Sequence, residues 1–337
     1  MPFVSVLILN YNGKRYLDTC LSSVLQTKYR NFEVIFVDNG SSDESSRFVK
    51  QRFGHDQKLR IITLSKNLGF AEGNNVGALN VNRNGKYLVF LNNDTKVDSE
   101  WLTKLVEPME SNPQIGIAQP KILSLSKPEI IDSTGGFINK IGLVRERGRG
   151  EKDTNQYNNI SEVFYAKGAA LIIRRCLWSK LGGFDPVYFL FWEDTDLCWR
   201  ARLMGYKVVF VPDSVVYHFS SATANEHYAN YTQFFDVRNR IITLFSNYNL
   251  PNLWRNLPLL LIYYAECIFT YDITKMKSPN LVYYKIKGLL WPIIHFKYLL
   301  CKRWFVQTKI RKLSDKKAIE YLLIGSTFKV INSNDKN

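Results

Sequence analysis

The stretch that decides the fold is "YLVFLNNDTKVD", residues 87–98. Its first five residues are apolar, and Asn92, Asn93 and Asp94 follow them directly. An apolar run of this length is typical of a strand that is buried on both faces of a parallel sheet. In open parallel sheets, ligands bind beyond the carboxyl ends of the strands. The stretch therefore predicts a buried strand that leads into a polar site.

The same plan occurs three more times, in "VSVLILN" (4–10), "FEVIFVDNGSSD" (32–43) and "LRIITLSKN" (59–67). Helix-spaced apolar residues lie between these runs, so the chain is predicted to be α/β, with a mainly parallel central sheet flanked by helices. The runs end at Asn10, Asp38, Asn67 and Asn92 to Asp94. If the strands are parallel, these ends meet along one rim. Asn and Asp also favour turns and helix caps, which explains a single position well but the whole set poorly.

The pattern loosens after residue 113. "IGIAQPKIL", "FYAKGAALIIRR" and "YKVVFVP" are predicted as strands, and the polar "RERGRGEKDTNQYNN" between the first two as a surface loop. A helix is expected to begin near Asp194 and to end at Gly205, a typical C-cap. From Gln233 onward the pattern is helical, with aromatic and basic residues interleaved.

The length of 337 residues suggests a main domain with an appendage. The formal charge is +15, and residues 236–337 hold 17 Lys/Arg against 6 Asp/Glu, a net of +11. A basic region can bind nucleic acid or an anionic membrane surface.

The five scattered cysteines favour a reducing compartment and argue against a disulfide scaffold or a zinc site. No signal peptide and no membrane-spanning run is expected.

An acidic cluster lies in "FWEDTDLCWR", where Glu193, Asp194 and Asp196 fall within four residues. Close like charges raise the pKa of one carboxyl, which suits a catalytic base. The alternative is that acidic residues simply favour a helix N-terminus. Trp192 and Trp199 flank the cluster, and we expect them to contact an acceptor sugar through its apolar face.

A diphosphate ligand at the rim would need a divalent cation, Mn or Mg, with oxygen ligands. Asp94 is placed to hold it, and His218, at the end of "SVVYH", is a candidate second ligand. A lone His is more often structural, and "NND" is also an ordinary turn. The chain contains no P-loop, no G-x-G-x-x-G and no G-x-S-x-G motif.

Six segments together resemble family 2 glycosyltransferases of the GT-A fold: "SVLILNYNG", "VIFVDNGSSD", "NLGFAEGNNVG", "VFLNNDT", "GGFDPVYFLFWEDTDLCWR" and "YHFSSATA". Within the family, the chain is most similar to the rhamnosyltransferase-like branch, which includes galactofuranosyl-type enzymes. The resemblance covers roughly residues 3–240, and "YTQFFDVRNRIITLF" also resembles the segment that follows the catalytic domain.

The resemblance implies a nucleotide-sugar donor, a divalent metal and inversion at the anomeric carbon. It places Asn10 and Asn12 in the nucleotide pocket, Asp38 at the pyrimidine base, and Asn67, Gly69 and Asn74 near the ribose and diphosphate. Asn92 to Asp94 match the DxD motif with Asp94 as metal ligand, His218 matches the later metal-binding His, and Asp194 matches the catalytic base. Two departures are Asn92 in place of the first DxD acid, and Glu72 where this branch often has Gly.

The expected organisation is a catalytic domain at 1–240, divided near residue 115 into a nucleotide-sugar part and an acceptor part, and a basic, aromatic-rich helical extension at 241–337. The donor is expected to be a dTDP- or UDP-sugar, with rhamnose as the candidate sugar. The acceptor is expected to be a glycan or a lipid-linked glycan. The extension suits a membrane interface at the inner face of the cell membrane, or it packs on the domain or forms a homodimer. The rival function is nucleic-acid or anionic-surface binding; the charge lies away from the acidic rim and no recognition motif occurs.

Overall fold

The computed structural model describes residues 1–219, 231–275 and 278–324. Its first part alternates strands with helices, as predicted. The elements are β1 (Val4–Asn10), α1 (Lys14–Leu25), β2 (Phe32–Asp38), α2 (Ser45–Phe53), β3 (Leu59–Thr63), α3 (Gly69–Leu79) and β4 (Tyr87–Asn92). The α/β class is confirmed, because each apolar run forms a strand and each intervening segment a helix.

The next part contains two long strands, β6 and β12, several short ones and three helices. The elements are β5 (Thr95–Val97), α4 (Trp101–Ser111), β6 (Ile115–Ser124), β7 (Ile131–Ser133), β8 (Gly136–Ile138), β9 (Val144–Glu146), β10 (Ser161–Glu162), β11 (Ala170–Arg174), α5 (Arg175–Leu181), a 3₁₀ turn (Pro186–Tyr188), α6 (Glu193–Leu203) and β12 (Lys207–His218). The three predicted strands are confirmed as β6, β11 and β12. The predicted loop at 145–159 begins inside β9 and then stays mostly exposed.

The main sheet has ten strands, eight of them in the order β10-β12-β6-β11-β4-β1-β2-β3. The four strands β4-β1-β2-β3 are parallel, and Asn10 is in register with Asp38 while Leu9 is in register with Asn92. β11 runs antiparallel between β4 and β6. Its amino end therefore lies at the carboxyl end of β4, where the Asn92 N–H donates to the Ala169 carbonyl at 2.9 Å.

Apolar layers cover both faces of the sheet, which explains the unbroken apolar run of β4. Leu88 and Phe90 belong to one layer, and Tyr87, Val89 and Leu91 belong to the other. Alternate side chains of a strand point to opposite faces, so both faces of β4 must be apolar.

Helices follow the sheet domain. They are α7 (Thr232–Asn247), α8 (Leu250–Glu266) with a π-helical continuation (Cys267–Lys275), α9 (Pro279–Ile294), α10 (Phe296–Phe305) with a second π-helical continuation (Val306–Ile310), α11 (Asp315–Ala318) and a 3₁₀ turn (Glu320–Leu322). The division at residue 240 stays a prediction; it falls inside α7. Most of the "YHFSSATA" motif, from residue 220 on, lies outside the described residues. None of the described helices is long and apolar enough to span a membrane.

Candidate active site

The polar strand ends meet at one rim of the sheet, as the sequence predicts. The Asn93 amide donates to Asn10 Oδ1 at 2.6 Å, and the Asn10 amide donates to Asp38 Oδ1 at 3.4 Å. Farther along the rim, the Asn39 amide donates to Asn67 Oδ1 at 2.9 Å. The parallel register brings these side chains together although they come from different strands.

A cavity of about 220 Å³ opens at this rim. Its walls come from the strand ends, from the start of α3, from the turn before β11 and from the segment that leads into α6. The lining residues are Leu9, Tyr11, Asn39, Asn67, Gly69, Phe70, Asn92, Asn93, Asp94, Lys167, Gly168, Ala169, Phe189, Leu190, Phe191, Glu193, Asp194 and His218.

Of the eight residues predicted to bind the nucleotide sugar, four line the cavity: Asn67, Gly69, Asn92 and Asn93. Asn10 and Asp38 lie behind its wall and are buried. Asn12 and Asn74 do not line it, and their expected role in nucleotide binding stays a prediction. Asn12 Oδ1 accepts the Ser42 N–H at 2.8 Å, and the Asn74 amide donates to the Phe70 carbonyl at 2.9 Å within α3. Tyr11, which lies between Asn10 and Asn12 in the sequence, and Asn39, which follows Asp38, do line the cavity.

Asp94 and His218 lie together at one end of the cavity. His218 Nε2 is 3.3 Å from Asp94 Oδ1, and β12 pairs with β5, which directly follows Asp94. His218 Nδ1 lies 2.9 Å from Asp132 Oδ2. Burial alone would lower the pKa of His218, but the hydrogen bonds to Asp132 and Asp94 raise this pKa to about 9. Burial alone would raise the pKa of Asp132, but its hydrogen bond with His218 and the charge of Lys167 hold that pKa well below its usual range.

These residues fit a divalent cation. Asp94 Oδ1 is buried, and the polar contact described for it is the 3.3 Å approach of His218 Nε2, so this carboxylate oxygen faces the imidazole rather than a backbone donor. The 3.3 Å separation between Asp94 Oδ1 and His218 Nε2 suits two ligands of one ion, because each ligand atom lies about 2.1 Å from such a metal. The bond to Asp132 orients the imidazole so that Nε2 faces Asp94. The described residues contain no cluster of three or more His, Cys, Asp or Glu that could hold a metal. Further ligands would therefore come from substrate and water.

The segment before α6 has an unusual backbone. Phe189, Phe191 and Trp192 have φ angles of 60°, 67° and 74°, in the left-handed region that non-glycine residues seldom adopt. Asn239 of α7 stabilises this segment, since its amide lies 3.0, 2.9 and 2.8 Å from the carbonyls of Tyr188, Leu190 and Phe191. Strain of this kind persists only where surrounding contacts impose it.

Glu193 and Asp194 begin α6 at the cavity wall, and their environments differ. Burial raises the pKa of Asp194, but its carboxylate accepts N–H donors from Gly168 at 2.7 Å and Thr195 at 2.6 Å, which favour the ionised form. Burial and the charge of Asp194 raise the pKa of Glu193 well above its usual value, and Glu193 Oε2 has no hydrogen-bond partner. The surroundings of Glu193 thus favour its protonated form, whereas the two N–H donors at Asp194 favour the ionised form of that carboxyl.

A second cavity, of about 380 Å³, lies against the same two carboxyls. It shares Lys167, Phe191, Glu193 and Asp194 with the first cavity. Trp192 lines only the second cavity, and its indole N–H donates to Asp236 at 3.0 Å. Asp194 thus separates two cavities.

Two predicted site residues point elsewhere. Trp199 is fully buried and packs edge-to-face against Phe164 and Tyr248, so the structure places it at neither cavity. Asp196 is also fully buried, and its carboxylate accepts the Arg200 Nε–H at 2.8 Å, away from both cavities. Their expected acceptor and catalytic roles stay predictions. Both placements follow from helix geometry. Successive residues of a helix lie about 100° apart around its axis, so only part of α6 faces the cavities.

The sequence reading missed several residues of the site. Asp132 lies behind His218, and Lys167 binds both Asp132, at 3.0 Å, and Glu146, at 3.1 Å. Gly168 donates to Asp194. Lys167 and Gly168 reach the rim because β11 runs antiparallel, and no periodic signal in the sequence shows the direction of a strand.

The sequence profile of "Glycosyl transferase family 2" matches residues 5–180, more than half of the chain. An "Uncharacterized glycosyltransferase" of Haemophilus influenzae is 32% identical over 34% of this chain and 35% of its own length. The "Low-salt glycan biosynthesis hexosyltransferase Agl10" of Haloferax volcanii is 24% identical over 71% of this chain and 74% of its own length. The chain spans less than half the length of each of the first three curated relatives (35, 25 and 48%).

Solved structures resemble the chain in fold. GalNAc-T7 with UDP, GalNAc and Mn²⁺ superposes with a TM-score of 0.61 at 17% identity, covering 88% of this chain and 57% of that one. Residues 1–349 of Staphylococcus aureus TarS in complex with UDP-GlcNAc superpose with a TM-score of 0.58 at 17% identity, covering 90% and 89%. These likenesses confirm the expected GT-A fold with C-terminal helices. The matched profile shows in addition that the chain belongs to glycosyl transferase family 2.

Proposed function

We propose that the protein is an inverting glycosyltransferase that moves a sugar from a nucleotide diphosphate to an acceptor hydroxyl. The observation that carries the proposal is that one cavity has the Asp94–His218 pair at one end and Asp194 in its wall, and that Asp194 also lines a second cavity. The first cavity would hold the donor and the second the acceptor.

The transfer needs one base. Asp194 takes the proton of the acceptor hydroxyl while that oxygen attacks the anomeric carbon. The new bond forms as the bond from the anomeric carbon to the diphosphate oxygen breaks, and the electron pair leaves with the diphosphate. The configuration inverts, and no covalent enzyme intermediate is required. The N–H donors of Gly168 and Thr195 favour the ionised form of Asp194 and fix the direction of its carboxylate.

Asp94 and His218 would hold a divalent ion, Mn or Mg, which when bound supplies positive charge for the diphosphate. Asp132 orients His218 for this role. Lys167 lies at the junction of both cavities and adds a fixed positive charge there. Asn67, Gly69, Asn92 and Asn93 offer polar contacts to the ribose, the diphosphate and the sugar. Burial and the charge of Asp194 favour the protonated form of Glu193, which would donate a hydrogen bond to a substrate oxygen.

The finer assignments rest on the sequence motifs. "VFLNNDT" and "GGFDPVYFLFWEDTDLCWR" favour the rhamnosyltransferase-like branch, and thus a dTDP- or UDP-sugar such as a rhamnose donor. The acceptor is a glycan or a lipid-linked glycan, as expected for an enzyme of polysaccharide biosynthesis in the cytoplasm at the inner membrane face. Homodimer formation and the boundary near residue 240 stay predictions.

The test is calorimetric titration of the full chain with UDP and with dTDP, each with and without Mn²⁺ or Mg²⁺, on wild type and Asp94→Ala. We expect metal-dependent binding in wild type and its loss in Asp94→Ala. Asp213→Ala, which removes an exposed carboxylate outside both cavities, is the matched control and should bind as wild type. Binding of neither nucleotide under any condition would refute the proposed donor site.

A further inference from the structure

The helices after the sheet domain carry most of the exposed large apolar side chains of the described chain. Of twenty such side chains, fourteen lie between Leu250 and Trp304. Trp254 is 73% exposed and Ile294 is 76% exposed. Soluble monomers rarely expose contiguous apolar surface on this scale, so these side chains require an explanation.

The exposed side chains follow helical spacing. On α9, Tyr283, Ile286, Leu290 and Ile294 recur at intervals of three and four residues, so they share one face of the helix. The opposite face of α9 packs closely on α7. At Gly288 the two helices are so near that an added Cβ atom would lie 2.9 Å from the Val237 Cβ. The apolar face of α9 is therefore not used for packing on the part of the protein that the structure describes.

The neighbouring helices repeat this arrangement. On α10, Phe296, Leu300 and Trp304 are spaced by four residues and exposed. On α8, Trp254 and Leu261 are exposed and lie seven residues apart, which again places them on one face. Three helices in succession thus present apolar faces outward, the reverse of an ordinary surface helix.

Basic residues accompany these faces. Between residues 250 and 313 of the described chain, five exposed side chains are cationic: Arg255, Lys287, Lys297, Lys309 and Lys312. Glu266 is the one exposed acidic side chain among the described residues of this range. Helices whose apolar faces are accompanied by cationic side chains are typical of proteins that bind at the boundary between the acyl chains and the anionic headgroups of a bilayer.

We propose that the outward faces of α8, α9 and α10 form a docking surface for a lipid bilayer that contains anionic headgroups. None of the described helices can span a bilayer, so the chain would lie on its surface. The apolar side chains enter the headgroup region, and the cations hold the anionic lipids. This deepens the proposed function, because it names the place at which a lipid-linked acceptor is met. Binding to vesicles is nevertheless measured without donor or acceptor, so it can fail or succeed independently of transferase activity.

The test is co-sedimentation of the full chain with vesicles of phosphatidylcholine alone and with roughly 30% phosphatidylglycerol. We expect binding to the anionic vesicles that weakens from about 0.1 M to about 1 M salt, as the screening length falls from about 10 Å to about 3 Å. Leu290→Glu/Ile294→Glu should partition at least about tenfold less. Leu79→Glu, which changes an exposed apolar residue of α3, is the matched control and should bind as wild type.

A second measurement needs no charged variant. Brominated lipid should quench the fluorescence of Trp254 and Trp304 in wild type. The variant Trp254→Phe/Trp304→Phe should lose that part of the quenching. Circular dichroism and thermal unfolding show whether each variant is folded. The proposal is overturned if anionic vesicles do not bind the folded wild type, or if neutral vesicles bind it equally. It is also overturned if sedimentation velocity finds a dimer without lipid that Leu290→Glu/Ile294→Glu dissociates, because a second copy would then cover the surface.

Discussion

Lys302 of α10 lies 3.3 Å from Asp196 of α6, deep in the protein. The same ammonium lies 2.7 Å from Asp185, and Asp196 is two residues from Asp194. A helix outside the sheet domain thus stabilises the helix that carries the proposed base. Burial alone would raise the pKa of Asp196, but the charges of Arg200 and Lys302 hold it below its usual value.

Lys302→Met should destabilise the protein by about 3–5 kcal/mol, because removal of one partner of a buried ion pair leaves the other charge uncompensated. Urea unfolding measures the loss. Lys297→Met removes an exposed lysine of the same helix and should change the free energy of unfolding by no more than about 0.5 kcal/mol. The double variant Lys302→Met/Asp185→Asn should recover part of the loss, and no recovery would mean that charge is not the cause.

Asp194→Asn should lower kcat by about 10²–10⁴-fold, the usual contribution of a general base, while donor affinity stays unchanged. Asparagine has the same shape, but its single oxygen can accept only one of the two N–H groups, because Gly168 donates to Asp194 Oδ2 and Thr195 donates to Oδ1. Initial rates of nucleotide release, together with calorimetric donor affinity, separate the two effects. Asp196→Asn is the comparison, with its main effect on stability, since Asp196 touches neither cavity. A kcat of Asp194→Asn close to wild type would exclude Asp194 as the base.

Glu193 should make the protein less stable as pH rises. Burial and the charge of Asp194 raise the pKa of Glu193 in the folded protein, whereas the unfolded pKa is about 4.3. Between these two values the folded state binds more protons than the unfolded state, so the free energy of unfolding falls with increasing pH. Glu193→Gln should remove this part of the slope in urea unfolding from about pH 4 upward. An unchanged slope would show that Glu193 ionises normally.

Asp132→Asn should weaken metal-dependent nucleotide binding by about 10–100-fold, because it removes the carboxylate that orients His218. Titration of UDP at fixed Mn²⁺ measures the change. Glu146→Gln is the matched control, since Glu146 shares Lys167 with Asp132 but has no bond to His218 among those described. Equal losses in both variants would assign the effect to Lys167 rather than to His218.

The sequence by itself determined the α/β class, the β1 to β4 strands and the polar rim. Unbroken apolar runs of this length are typical of strands with both faces covered, and parallel strands end on the same side of the sheet. Asn92 to Asp94 and Asp194 therefore reached the predicted region of the fold.

Tertiary structure decided which side chains of that region face the cavity. The direction of β11 brings Lys167 and Gly168 to the rim, and strand direction leaves no periodic trace in a sequence. Asp194 and Asp196 are alike in sequence, yet the turn of α6 directs one to the cavity and the other to Arg200 and Lys302. Local composition thus identifies the acidic helix start, and long-range packing alone separates the proposed base from the buried ion pair.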